Sequence, residues 1–404
     1  MHILLIHQAF AALDEPGGTR HHELARYLAL QGHRLTVIAS PVSYLTGGSS
    51  QPRPRWVERQ DGGPGVTVLR AYTYRALHRS FVHRVFSFLS FMLSSFFIGL
   101  TVKDVDLVWG TSPPIFQGLT AWLLSALKRA PLLFEVRDLW PAFAVQVGVL
   151  TNPILIRLAA WLEGFLYRRA DRLMVNSPGF IEHLKARRAR QVTLIPNGAD
   201  TQMFDPQADG AAFRRAHRLD DKFVALYAGA HGLSNDLGVL LEAAVQLQDQ
   251  PEVAIVLLGD GKEKSTLLAR AAELGLDNVY FLPPVPKTEM PTALAAADAC
   301  IAILKPIPLY ATVYPNKVFD YMAAGRPVVL AIDGVIRQVV ESAQAGLFAQ
   351  PGNPAALAAA IRTLASDRDQ ASRMGLAGRA YLEAHFDRAE LAARLEQLMV
   401  EMTK

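Results

Sequence analysis

Cysteine is nearly absent from this sequence. Cys300 is the single one in 404 residues, which excludes a disulfide framework and any cysteine-built metal site. It stands in the apolar run ADACIAIL, where a thiol acts as a small core hydrophobe, so a reducing, cytoplasmic compartment is expected. The start MHILLIHQAF lacks a basic lead and a small-residue cleavage site, and its apolar run is too short for a secretion signal, so it reads as a strand. The loop that follows lacks the GxGxxG dinucleotide fingerprint. No repeat of solenoid length is evident, and no nucleic-acid partner is expected.

What is present is apolar residues, 51% of the chain, enough to bury the cores of two domains. Net charge is only +4, but Arg70, Arg75, His78, Arg79, His83 and Arg84 crowd into fifteen residues. That cluster predicts an anionic surface nearby, against the plainer reading of a solvated basic face.

The first half alternates short β-rich runs with helical patterns. Strands are predicted at 2–8, 34–40, 65–71, 104–110, 131–137, 171–177 and 191–197, with a helix from Thr19 to Leu30 ended by Gly32. The pattern restarts at 223–230, 253–261, 278–285, 299–305 and 326–332. Strands alternating with helices predict parallel sheets covered on both faces, hence two doubly wound domains whose strand ends face one inter-domain cleft. The segment from Pro196 to Asp221, rich in Asn, Gly, Asp and Pro, reads as a linker. The domains are expected at 1–198 and 199–385, with 386–404 a helix that returns to the first domain.

Val85 to Val102 carries no formal charge and is long enough to cross a bilayer. Spanning is rejected, because it would put neighbouring strands of one sheet on opposite sides of the membrane. A buried crossover helix, or a helix partly exposed to lipid, remains.

Candidate chemistry lies where strands end. Gly17 and Gly18, ahead of the first helix, let backbone N–H groups approach an anion. Arg137 and Asp138 follow a buried strand, as phosphate binder and hydroxyl acceptor or as a structural ion pair. Thr111 ends another strand, where a rigid turn is the alternative. In the second half, Pro315 opens a helix that Gly325 closes. Lys317 in its first turn marks an anion site near Asn316, and Asp320 lies one turn on, suited to ribose hydroxyls. Gly229, His231 and Gly232 in AGAHG, and Gly261 and Lys262 in GDGK, add two more glycine-bearing strand ends.

These motifs resemble the family-4 retaining glycosyltransferases of the two-Rossmann GT-B fold. Gly17-Gly18, IPNGAD at 195–200 with Phe204, GDG at 259–261 and FDYMAAGRPVV at 319–329 carry the likeness. RDLWP and PNKVFDYMAAG are similar to bacterial envelope-polysaccharide enzymes, including fucosamine transferases. The resemblance implies a UDP-sugar donor held mainly by the second domain, and an acceptor, lipid-linked or polysaccharide, on the side of Thr19, Arg20, His21, Thr111 and Trp140. It implies Lys317, Arg137 and Asp138 as catalytic residues, front-face transfer, and no metal or other cofactor, no DxD-like cluster standing in a suitable loop. The family's Glu-x7-Glu motif is degenerate here, with Thr312 and Asp320 in its two places. The family's Arg and Lys after the second domain's first strand are also missing, and Lys317, Lys262 and Arg337 are the expected replacements. A nucleotide-sugar epimerase, a phosphorylase and a non-catalytic nucleotide-sugar binder are the competing readings. An anionic membrane contacted through residues 70–102 is the expected site of attachment.

Overall fold

The structure, a computed structural model, describes residues 1–15, 17–43, 47–76 and 79–404, and of Phe81 only the backbone. His78 of the basic cluster lies outside the described residues. The chain divides into two compact units, one made of residues to Leu13, Gly17–Pro196 and Ala389–Lys404, the other containing Asn197–Arg388.

Unit 1 is built on eight strands: β1 (His2–Ile6), β2 (Arg34–Ala39), β3 (Val57–Asp61), β4 (Val66–Ala71), β5 (Leu107–Ser112), β6 (Leu132–Val136), β7 (Arg172–Val175) and β8 (Val192–Leu194). They lie in the order β3-β4-β2-β1-β5-β6-β7-β8. All neighbours are parallel except β3 and β4. β1 and β5 are buried along their whole length, as strands covered on both faces must be. β3, VERQD, has no such apolar run to reveal it, because it is a polar edge strand. β5 starts later than expected: Asp104 turns the chain at φ 54° and the Asp106 carboxylate accepts from the His2 N–H at 2.7 Å. These residues form a turn rather than a strand.

The helices of unit 1 are α1 (Arg20–Leu30), α2 (Phe81–Thr101), α3 (Phe116–Lys128), α4 (Ala142–Gln146), α5 (Pro153–Arg169) and α6 (Ile181–Ala186). The Asn152 side chain caps α5 by accepting from the N–H groups of Ile154 and Leu155, and Pro153 fills the first turn where no donor is needed. The uncharged run 85–102 is the body of α2, between β4 and β5 of one sheet. Phe91 is buried, while Phe86 and Phe97 are exposed.

Unit 2 carries a six-stranded parallel sheet of β9 (Phe223–Ala228), β10 (Val253–Leu258), β11 (Val279–Leu282), β12 (Ala299–Ile303), β13 (Val328–Ala331) and β14 (Gly346–Phe348), ordered β11-β10-β9-β12-β13-β14. Its helices are α7 (Ala211–His217), α8 (Leu237–Val245), α9 (Lys264–Glu273), α10 (Met290–Ala295), α11 (Asn316–Ala323), α12 (Val335–Ser342), α13 (Pro354–Ser366) and α14 (Arg368–His385). Two core clusters flank the sheet, one on each face. The stretch expected as a linker is a folded segment of this unit instead. It contains α7, and Phe204 and Leu219 are fully buried in the core, apolar anchors that outweigh the surrounding turn residues. The last helix, α15 (Arg388–Thr403), lays Leu391, Leu395 and Met399 on the same cluster as α1, β1 and β2.

Candidate active site

In unit 2 the strand ends converge on a cradle floored by backbone. Gly229 follows β9 and Gly259 follows β10, with φ near +150° at both. A Cβ on Gly259 would come within 1.9 Å of the Gly229 carbonyl oxygen, and one on Gly229 within 2.6 Å of Lys317 Nζ. Glycine at 259 lets the two loops pack backbone to backbone, and glycine at 229 leaves room for the Lys317 ammonium. Gly261 is tied in the same way to the backbone of His231. Gly232 begins a short 3-10 turn.

Lys317 projects from the first turn of α11 into this cradle. Its Nζ is buried, lies 3.8 Å from the centroid of the Tyr227 ring and has no hydrogen-bond acceptor among the described residues. Burial pulls its ammonium from the ordinary 10.5 down to about 7: desolvation disfavours the charged form and no anion offsets it. Both ring nitrogens of the fully buried His231 are also without partners among the described residues. Burial first, then Lys264 and Lys317 nearby, lower that imidazole to about 4. An electropositive pocket with unused donors is a site for an anion.

Sequence reasoning nominates Lys262, but that residue is exposed. Lys264, two positions on, turns inward instead and donates to the carbonyls of Gly259 at 2.8 Å and Leu282 at 3.3 Å. The phase of the turn before α9 decides between two equivalent lysines, and composition does not record it. Arg337 is likewise occupied elsewhere, pairing with Glu341 at 2.7 Å and stacking on Phe348.

Asp320 sits one turn beyond Lys317 as expected, but its Oδ2 accepts from Lys287 Nζ at 2.6 Å and from Asn316 Nδ2 at 3.4 Å. Lys287 was not foreseen. It is largely buried beside Asp320 and lies over the Phe204 ring. Thr312 gives its hydroxyl to the Leu309 carbonyl. Asn316 Oδ1 accepts from Arg388, which also binds the Gly198 carbonyl, joining Gly198 to the start of α11.

Unit 1 gathers a second cluster at the carboxyl ends of β1, β5 and β6. Glu135 lies inside β6 and is fully buried. Its carboxylate accepts from Arg20, from His21 at 2.7 Å and from Trp109 Nε1 at 3.2 Å. Desolvation pushes this carboxyl up, but Arg20 and His21 outweigh it and hold it near 2. Burial lowers His21 to about 4 and His7 well below its ordinary value. The two neutral rings lie against each other, centroids 3.9 Å apart and planes tilted by 34°. His7 Nδ1 meets the Thr111 hydroxyl at 2.9 Å, and Gln117 Nε2 donates to Thr111.

The residues expected on the acceptor side therefore divide. Arg20, His21 and Thr111 are buried and engaged in this network, and Thr19 donates its hydroxyl to Glu23 at 2.6 Å. Trp140 is partly accessible, its ring 6.1 Å from that of Phe116. Arg137 donates to the Pro113 carbonyl at 2.7 Å. Asp138 is exposed to solvent, and the protein packed around it raises its carboxyl to about 6 by desolvation against the pull of Arg137. Gly17 approaches the Ala11 methyl, and Gly18 borders open space. Among the described residues no cluster of three or more His, Cys, Asp or Glu is arranged to hold a metal ion.

Two Rossmann-like units with their candidate groups at strand carboxyl ends have the architecture of GT-B glycosyltransferases. Residues 17–198 match the glycosyl transferase 4-like domain and residues 210–381 the glycosyl transferases group 1. The protein is thus a glycosyltransferase of the group 1, family-4-like type. WcaI of Escherichia coli K12, named for colanic acid biosynthesis, is 25% identical over 84% of this chain and 86% of its own. Among solved structures, Anabaena HepE with UDP-glucose superposes with a TM-score of 0.74 at 19% identity, covering 99% of this chain and 100% of that one. WaaG, a glycosyltransferase involved in lipopolysaccharide biosynthesis, does so with 0.70 at 15% identity, covering 99% of each.

Proposed function

We propose that this protein transfers a hexosyl or N-acetylhexosaminyl group, with retention, from a UDP-sugar to a lipid-linked or polysaccharide acceptor in cell-envelope glycan synthesis. The observation that carries the donor assignment is the buried, unpartnered Lys317 Nζ at the glycine-floored cradle of unit 2. UDP-glucose in HepE and the envelope roles of WcaI and WaaG support the choice of donor and pathway class. The likeness of RDLWP and PNKVFDYMAAG to fucosamine transferases supports an amino sugar.

In the reaction, the bond from the anomeric carbon to the diphosphate oxygen breaks while an acceptor hydroxyl oxygen bonds to the same face. The hydroxyl proton passes to the departing diphosphate. Lys317 neutralises the charge that develops there, a role of several kcal/mol in such sites, and no metal ion is required. Gly229, His231, Gly232, Gly261, Asn316 and Asp320 line the donor side, and the family resemblance assigns Gly17 and Gly18 of unit 1 a diphosphate-binding role. Arg137 and Asp138 serve the transfer from unit 1, with Thr19, Arg20, His21, Thr111 and Trp140 shaping the acceptor side. The enzyme works at the cytoplasmic face of an anionic membrane, attached through residues 70–102.

A panel of nucleotide sugars tests this by thermal stabilisation followed by product analysis, since a ligand bound only by the folded state raises its stability. The expected outcome is stabilisation by one UDP-sugar, and an axial or equatorial product linkage matching that of the donor. Stabilisation without transfer or hydrolysis would favour a non-catalytic binder, and an altered free nucleotide sugar an epimerase.

A further inference from the structure

The crossovers carrying α2, α3 and α5 step the same way across the first sheet, from β4 to β5, β6 and β7, so right-handed connection puts all three on one face. They lie side by side. Thr120 of α3 donates to the Met92 carbonyl of α2 at 2.9 Å, and the Trp122 ring of α3 meets Phe165 of α5 edge-on with centroids 4.8 Å apart.

The outward side of this layer is apolar. Phe86, Leu93 and Phe97 form one stripe on α2, and Leu127 is exposed on α3. On α5, Ile154, Leu158 and Trp161 recur at helical spacing, with Ile154 at 67% and Trp161 at 61% exposure. The only carboxylate in the three helices is Glu163, which is fully buried and bound by His183 at 2.8 Å and Arg187 at 3.2 Å. The surface thus presents no helical carboxylate to repel an anion. Cations border it at both ends: Arg84 near the start of α2, and Lys128, Arg168 and Arg169 at the ends of α3 and α5. Beside Trp161, a depression is lined by Gly164, Arg168, Arg187 and Arg188.

We propose that this three-helix face lies flat on an anionic bilayer, and that the arginine-lined depression beside Trp161 takes a phospholipid headgroup phosphate. This rests on the membrane attachment read from residues 70–102 and extends it to α3 and α5. Apolar side chains insert at the level of the acyl boundary, Trp161 sits at the headgroups, and the arginines reach phosphate. A second copy is the poorer occupant, because a two-fold contact would bring the same cationic borders together.

Flotation of the full chain with phosphatidylcholine vesicles, with and without phosphatidylglycerol, tests this against three variants: Phe86→Glu/Phe97→Glu, Leu158→Glu/Trp161→Glu, and Arg168→Gln/Arg188→Gln. Thermal melting confirms that each variant is folded. Wild type is expected to float with the anionic vesicles. Both glutamate pairs should lower the bound fraction about tenfold, and the arginine pair should remove the preference for phosphatidylglycerol. If only the α2 pair matters, the α5 proposal falls while attachment through residues 70–102 stands. If wild type floats with neither vesicle, both fall. A wild-type dimer made monomeric by Leu158→Glu/Trp161→Glu would show instead that a second copy covers the face.

Discussion

Lys317 and Tyr227 meet with the ammonium nitrogen 3.8 Å from the ring centroid, and no carboxylate stands between them to neutralise the charge. A cation held over an aromatic face in a desolvated place is attracted to the ring yet remains short of an anion. Lys317→Met should therefore leave the ligand-free protein folded and raise its stability by about 1–3 kcal/mol. The same variant should lose most of the stabilisation that a UDP-sugar confers, and transfer should fall at limiting and saturating donor. Unchanged kinetics would remove Lys317 from the site.

The protonation of Lys317 gives a second prediction, with a definite sign. The unfolded chain holds this proton up to about 10.5, and the folded, ligand-free site releases it near 7. Between these values the unfolded state binds more protons, so this residue makes ligand-free stability rise with pH. A bound diphosphate restores the charge, so donor binding at pH 8 should take up a proton and weaken as pH rises. Calorimetry in two buffers of different ionisation enthalpy measures that uptake, and Lys317→Met should abolish it.

Asp320 and Lys287 form a largely buried pair, so losing one partner strands the other. Asp320→Ala should destabilise unit 2 by about 3 kcal/mol as well as raise the donor KM. Lys287→Met/Asp320→Leu should recover most of the stability without recovering the KM. Recovery of both would mean that Asp320 only supports the fold.

Acid should destabilise the Glu135 cluster in unit 1. Its folded carboxyl titrates near 2 against an ordinary 4.5, so its stabilising contribution is complete above 4.5 and is lost as pH falls towards 2. Glu135→Gln should flatten that region of the stability profile. Glu135→Ala, which leaves Arg20 buried without its carboxylate, should cost about 3–5 kcal/mol at neutral pH. Urea melts from pH 7 to 2.5 separate the two effects.

The parallel strands were legible because burial on both faces writes them as unbroken apolar runs. β3 was not, since an edge strand needs no such run, and neither was β14, which has three residues. The cradle glycines and Lys317 could be read because strand ends and helix starts are punctuated by glycine and proline. Lys264 could not, because only the turn's phase separates it from Lys262. Lys287 and Glu135 depend on partners 33 and 115 residues away in sequence, and local spacing carries no trace of such pairs. Arg20 and His21 were legible as residues of interest, while their engagement with Glu135 was not.

The contact of Gly259 with the Gly229 carbonyl limits how this enzyme can diversify. A Cβ at 259 would strike backbone, one at 229 would displace the Lys317 ammonium, and the positive φ disfavours a side chain at both, so single substitutions there disrupt the floor rather than reshape it. If unit 2 holds the donor as proposed, changes in sugar or base selectivity are expected from side chains around this floor, such as Asn316 and Asp320, and directed evolution of the donor is best aimed at them.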